Sequence, residues 1–522
     1  MQLRFQQNEP ENIRTIPANL IEQAAQRNQS VNLRNAIIQG QLRLTGTTRS
    51  QSIALVQCRF EDLVDLSYGN FESNLIFSGS TFSRGINLNR ATIASDLRLR
   101  NAVFSGQRTR FDDAQILGLL LADRGHFSSS QTTFIRTHFA KFCSFSRAAF
   151  ATKATFSTAS FDAEVIFART VFRSDALFDA VRFKGAANFE GVNFGATVTF
   201  NASKFDSPCS FSSIGEPRKT LTVFAGVVDM VGMSIEGAAQ FQGVTFKNKV
   251  NLNSARIAGF VNFGPLVVAE KEPLLTTFED EVDLVSSCIV GNAHFQGVTF
   301  SKSSNFSNAQ IVGDLRFESP SGHQTTFKGD ANFIRASIGG NAAFSGATFE
   351  GKVQFGNAQI GGNFYFASLS KPCVLQTSFS GEASFVNVHV TGYADFRGVE
   401  FKAKTMFNGA DIGRKASFGP VTREKADSLF TRFEDNATFS EWRVNGETNF
   451  DQAMFINKGS IEFVRAYFGG AAVFSDIEFN KTVSFSGAVV QGEANFSHSK
   501  FSGTAPISLS VLIFISALRS QE

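Results

Sequence analysis

The phenylalanines of this chain recur in steps that alternate between five and six residues. The clearest run is Phe134, Phe139, Phe145, Phe150, Phe156, Phe161, Phe167, Phe172, Phe178, Phe183, Phe189 and Phe194, and most of the 60 phenylalanines fall on the same ladder. A helical face repeats every three or four residues and a strand face every two, so this alternation excludes both as long elements. What remains is a series of short extended segments joined by tight corners, stacked turn upon turn. The chain is read as a solenoid.

A slower signal sets the size of one coil. Outside the all-Phe centre, every fourth ladder position is β-branched, and Ile235 and Ile257, Ile289 and Ile311, Ile338 and Ile360, and Val390 and Ile412 are 22 residues apart. One coil is therefore 22 residues with four sides. Taking the Ile/Val column as the first, the second lies six residues on, the third five further and the fourth six further. The third column is Phe at every level from Phe60 to Phe501. Glycines two residues after the first column, Gly237, Gly313 and Gly492, read as corner residues that need φ freedom. Two residues before each ladder position stands a small inward residue, as Ala187 before Phe189 and Ala358 before Ile360, with a polar outward residue between them.

This small-polar-Phe pattern, with links such as Phe344-Ser345-Gly346-Ala347-Thr348-Phe349, resembles the pentapeptide-repeat family over roughly residues 33–501. The resemblance implies an all-β fold, a right-handed four-sided parallel β-helix, here of about 22 residues per coil. Alternation of five with six departs from a strict pentapeptide and marks a Phe-rich variant. Rings of one column would lie about 4.8 Å apart, suited to offset stacking.

The expected organisation is an N-terminal segment, 1–32, one elongated solenoid, 33–505, and an apolar C-terminal end, 506–522. Thr15, Pro17, Leu20, Ile21, Ala24 and Ala25 read as a short helix over 16–27, with Thr15 as its cap, covering the open first coil. Residues 1–8 hold no apolar run, which argues against a secretion signal and for a cytoplasmic protein. Cys58, Cys143 and Cys209 fall in small inward slots, as structural thiols suited to a reducing compartment. Trp442 occupies such a slot before Val444 and is expected to force a bulge. Residues 506–522 have three readings: a last coil continuing the ladder through Ile507, Leu512 and Leu518, an interface for self-association, or a membrane contact.

Charge gives little direction, since 49 basic and 46 acidic residues leave +3, too small to imply a global nucleic-acid surface. The stretch 84–110, with Arg84, Arg90, Arg98, Arg100, Arg108 and Arg110, is locally basic and reads as a solvated face or a patch for an acidic partner. His126, His138, His294 and His389 each precede a ladder residue and point outward at scattered levels. No catalytic cluster, metal site or cofactor site is read from the sequence.

The most functional-looking feature is a set of insertions. Residues 212–223, 264–277, 318–326, 367–378 and 419–432 all interrupt the corner between second and third columns, on alternate coils, and 45–59 reads as an earlier loop at the same corner. Insertions on one edge of a solenoid often form its binding face. Candidate contact residues are Glu216, Arg218, Lys219, Glu270, Lys271, Glu272, Arg423, Glu424 and Lys425. The favoured function is a non-enzymatic scaffold or protein-interaction rod with an unidentified protein partner. Three alternatives stand beside it: a DNA mimic that binds topoisomerases, as the resemblance allows; a carbohydrate-active β-helix enzyme; and a scaffold held at a membrane by its apolar end.

Overall fold

The computed structural model describes residues 1–216, 219–269, 271–318, 322–369, 374–422, 428–456, 460–479 and 482–501, and the backbone of the strands Ile507–Ser508, Ile513–Phe514 and Leu518–Arg519. Chain contacts divide it into two compact units, Met1–Asn251 with Leu266–Leu274, and Leu252–Pro265 with Leu275–Glu522. Each is a parallel β-solenoid with about 22 residues per coil, and the chain makes about 21 turns.

One coil of the first unit shows the plan. Ser160–Phe161 lies on the first wall, Val165–Ile166 on the second, Val171–Phe172 on the third and Ala176–Leu177 on the fourth. Each pairs in parallel with the strand one coil on: Arg182–Phe183, Ala187–Asn188, Asn193–Phe194 and Val198–Thr199. The second unit repeats the plan, with Gln310–Ile311, Leu315–Arg316, Thr326–Phe327 and Ala331–Asn332 pairing onto the coil of Ile338 and Phe349. A strand this short has no stability of its own, and the coil above and the coil below supply its backbone partners.

The alternation of five and six has a backbone cause. At the five-residue corners, second to third and fourth to first, the residue two past the ladder position has positive φ, as in Arg147 at 58° and Thr158 at 60°. The amide of the following residue donates to the ladder carbonyl, Ala148 to Phe145 at 2.9 Å and Ala159 to Phe156 at 3.0 Å. That is a type II turn, which needs positive φ at its third residue. A non-glycine residue there costs about 1–2 kcal/mol, offset by stacking on the next coil.

The six-residue corners work differently, and here the expectation for the glycines is corrected. Gly237, Gly313 and Gly492 do not lie in the left-handed region. A Cβ on Gly313 would stand 2.8 Å from the backbone of Gly291, and one on Gly492 2.5 Å from Gly470. Close approach of stacked coils, not φ freedom, demands glycine there.

Inside, the ladder phenylalanines stack face to face along each column. In the second unit Phe278–Phe300, Phe300–Phe327, Phe327–Phe349 and Phe349–Phe379 are 5.2, 4.8, 4.8 and 4.7 Å apart, with ring planes within 8° of parallel. Rings of the second and fourth columns meet edge to face across the core, as Phe156–Phe167 at 5.5 Å and 87° and Phe333–Phe344 at 5.4 Å and 81°. Cys58, Cys143 and Cys209 are free thiols in buried slots. Burial pushes the Cys58 thiol up to about 11 and raises the other two, which leaves them protonated and unreactive.

Trp442 corrects the expected bulge. It is inward and buried, touching Phe439, Phe418, Phe450 and Phe468. Its amide keeps the corner bond to Phe439, and Arg443–Val444 keeps normal register with Asp411–Ile412. Val444, smaller than Ile412 and Phe468 on the coils before and after it, leaves room for the indole inside.

The N-terminal segment does more than cap. Gln2–Arg4 pairs with Asn32–Arg34 on the second wall, and Thr15–Pro17 pairs with Ile37–Gln39 on the third. Thr15 is thus a strand residue rather than a helix cap. The main helix runs Ala18–Gln26 with Pro17 before it, and a short helix, Glu11–Arg14, precedes it. Ile21, Ala24 and Ala25 are buried, while Leu20 is exposed.

The supposed loop 45–59 is an ordinary coil, with Thr48–Arg49 on the first wall and Ile53–Val56 on the second. It escaped the ladder because Arg49 stands in a first-wall ladder position. Arg49 is 7% exposed and donates a hydrogen bond to the carbonyl of Ala25 at the helix C-terminus, where a cation is favoured.

At the other end Ile507–Ser508, Ile513–Phe514 and Leu518–Arg519 pair with Val483–Ser484, Val489–Val490 and Ala494–Asn495, as a further coil does. The register differs from the sequence reading: Phe514 takes the ladder level of Val490, while Ile507 and Leu518 stand level with the slot residues Val483 and Ala494. Leu512 lies outside the described residues.

Phe300 is fully buried between two stacked rings. Phe300→Ala should lower the free energy of unfolding by about 3–5 kcal/mol. Reversible denaturation checks this, and a loss below about 1 kcal/mol would place the ring outside the core.

Candidate functional site: the hairpin corner

Every insertion joins a second-wall strand to a third-wall strand, as Cys209–Ser210 to Val223–Phe224 and Phe364–Tyr365 to Ser378–Phe379. Four fold as antiparallel hairpins, closed by Ile214 with Thr220, Leu266–Val268 with Lys271–Leu274, Leu369 with Leu375, and Val421 with Leu429.

Each insertion ends in Thr-x-Phe, and the threonines Thr222, Thr276, Thr325, Thr377 and Thr431 fill the small slot before the third-wall ring, buried to within 1%. The hydroxyl accepts the amide of a glycine one coil earlier: Gly191 to Thr222 at 2.8 Å, Gly297 to Thr325 at 2.9 Å, Gly346 to Thr377 at 2.8 Å and Gly398 to Thr431 at 2.9 Å. These glycines have positive φ, and the hairpin stem lies on them. A Cβ on Gly243 would stand 2.7 Å from Leu274, and one on Gly346 3.1 Å from Leu369 and Leu375. A serine at the base completes the clamp, Ser368 donating to the Gly398 carbonyl at 2.6 Å and accepting the Thr377 amide at 2.9 Å. One coil supplies a glycine seat and the next supplies the hairpin, which is why insertions fall on alternate coils. Sequence reading missed this clamp, although the recurring Thr-x-Phe was its legible signal.

Of the candidate contact residues, Glu216, Lys219, Lys271 and Glu272 are described and exposed. The structure brings two together: Lys271 Nζ is 2.9 Å from Glu216 Oε1, and Val268 lies where a Cβ on Gly215 would meet it at 2.8 Å. The first two hairpins therefore touch. Arg218, Glu270, Arg423, Glu424 and Lys425 lie outside the described residues. Val267 stands 83% exposed at the second hairpin.

In the second unit a cavity of about 490 Å³ opens beside the third hairpin, lined by Asp314, Arg316, Glu318, Asn341, Tyr365 and Leu369 among others. Arg316 pairs with Asp314 at 2.7 Å, and that hydrogen bond raises the Arg316 pKa. Burial pushes the Glu318 carboxyl up, against the pull of its own backbone amide and of Arg316, while Gln296 donates to Oε1 at 3.1 Å.

The other charged candidates are dispersed. Arg84 pairs with Asp62, Arg98 with Asp96 and Arg100 with Asp123, while Arg90 covers Tyr68, on different walls and corners. The stretch 84–110 therefore forms no single patch, because 22 residues carry the chain once around the coil. His138 bonds Gln115 and Asp162, and His389 bonds Asp411. Among the described residues no group of three or more His, Cys, Asp or Glu is placed to hold a metal ion, and no helix is long and apolar enough to cross a membrane.

Short stacked strands, four columns and corner hairpins define a repeat protein of the parallel β-solenoid class. A family model described as pentapeptide repeats (9 copies) matches residues 316–359 and 463–508, and the chain carries pentapeptide repeats in those two segments. No curated protein and no solved structure matches it significantly. Such a solenoid is a repeat scaffold, of a kind that is generally non-enzymatic.

The clamp generates a local test. Thr377→Val keeps shape but leaves the buried Gly346 amide without its acceptor, a change expected to cost about 1–3 kcal/mol. Hydrogen exchange at Gly346 should accelerate; unchanged exchange there would refute the clamp.

Proposed function

We propose that the protein is a non-enzymatic interaction scaffold whose protein partner engages the hairpins of the second-to-third corner. The observation that carries this reading is positional. Five insertions of different sequence arise at one of four corners, each ending in Thr-x-Phe and four of them held by the same glycine and threonine clamp, so the fold invests repeatedly in projecting side chains from that corner. Their variable parts are solvated: Val267, Leu221 and Val374 are 83%, 40% and 43% exposed. Large apolar side chains held out by an ordered stem are suited to desolvation against a partner.

The test replaces residues 264–277 and 419–432 by the five-residue step of an uninserted corner, such as Phe189 to Phe194. The stacked coils should persist, since both insertions lie outside the ladder. Captured partners from the native cell should be lost with the hairpins. Capture that survives those deletions and disappears on truncation after Phe501 would move the binding function to the C-terminal end.

A further inference from the structure

We infer that the column of Arg124, Arg147 and Arg169, on the second-to-third corner of the first unit, is a binding edge for the phosphate backbone of a single-stranded nucleic acid. The three residues occupy the same corner position on successive coils. The Arg124 amide donates to Ser146 at 2.9 Å, that of Arg147 to Ala168 at 2.9 Å and that of Arg169 to Glu190 at 2.8 Å. Their Cα atoms therefore rise by roughly one coil spacing, about 4.8 Å, per step.

Two features set this column apart from an ordinary solvated face. First, all three residues hold left-handed backbone, at φ 54°, 58° and 59°, where glycine or asparagine is favoured. The same corner uses Asn35, Gly79, Asn101 and Gly191 at other levels, so arginine is placed against its backbone preference three times in succession. Second, none of the three guanidinium groups pairs with a carboxylate among the described residues. On the opposite five-residue corner, Arg90 and Arg136 share Asp113 and Arg465 pairs with Glu441. The carboxylates at the two ends of the column are engaged elsewhere, Asp123 by Arg100 and Ser144, and Glu190 by the Ser210 hydroxyl.

Like charges stacked in register repel, and a chain carrying one negative charge per unit relieves that repulsion at every level. The guanidinium fork matches phosphate oxygens. Flanking outward residues are Leu121, Ser144 and Ile166 on the second wall and His126, Ala149 and Val171 on the third, so a ring that could stack on a base stands at the Arg124 level alone. Recognition is of backbone and not of sequence. The overall charge of +3 conceals this edge because acidic residues elsewhere balance it.

The experiment is fluorescence anisotropy of a labelled oligothymidylate with the full-length protein at varied salt. Three phosphate contacts predict a slope of log K against log salt of about −2, or roughly a 15-fold loss between about 50 and 200 mM. Arg147→Gln should reduce the slope by about 0.7. Arg124→Gln, Arg147→Gln and Arg169→Gln together should weaken binding at least about 10-fold at low salt, while the three lysine substitutions retain most of it. Glutamine is tolerated at this corner, since Gln57 and Gln452 hold it at φ 54° and 55°; an unchanged circular dichroism spectrum verifies this. Binding that survives the triple glutamine substitution with unchanged slope would overturn the proposal. So would binding of polyglutamate but not oligothymidylate, or no binding of oligothymidylate at low salt.

Discussion

Face-to-face contact between rings one coil apart is the interaction on which the rest of this structure depends. A parallel β-ladder fixes the rise near 4.8 Å, and the Phe columns stack at 4.4 to 5.7 Å. Backbone pairing and ring stacking therefore ask for the same spacing. That agreement lets strands of two residues persist, since each coil finds hydrogen bonds and aromatic contact only on its neighbours. Edge-to-face contacts between the second and fourth columns tie opposite walls together and fill the width that stacking alone leaves open.

The corners follow from that core. A five-residue step closes only through a left-handed residue, and a six-residue step brings backbones so near that a Cβ at Gly313 or Gly492 would collide with the previous coil. The two corner types have different uses. The left-handed corner leaves a site where a hairpin can be seated on glycine and clamped by threonine, and it carries the arginine column. The hairpins and the arginines thus exploit one local geometry: a position exposed on the edge whose backbone the stack over-determines.

Much of the fold was legible because phenylalanine dominates the ladder. The period, the four columns, the third column and the five insertions can all be read from Phe, Ile and Val spacing. Reading failed where one residue departs from the ladder's chemistry: Arg49 in a core position hid a whole coil, and Trp442 suggested strain that the smaller Val444 removes. It also failed where the cause is backbone geometry. Gly237 and Gly346 look alike in sequence, yet the first avoids a collision and the second holds positive φ beneath a hairpin. The arginine column was illegible for the same reason, since residues 23 and 22 apart meet only once the coil is closed and their free charge is visible only against the pairing of Arg90 and Arg136. Of the candidate contact residues, sequence located the corner and not the contact between Glu216 and Lys271, 55 residues apart.

The dependence of the fold on column stacking is tested most directly by a double-mutant cycle on Phe300 and Phe327, whose rings are 4.8 Å apart and 5° from parallel. Both are changed to Leu, singly and together, and unfolding free energies are measured under reversible conditions. Stacking predicts a coupling energy of about 0.5–1.5 kcal/mol. Additivity within about 0.3 kcal/mol would show that the rings contribute burial alone and that their stacking does not set the fold.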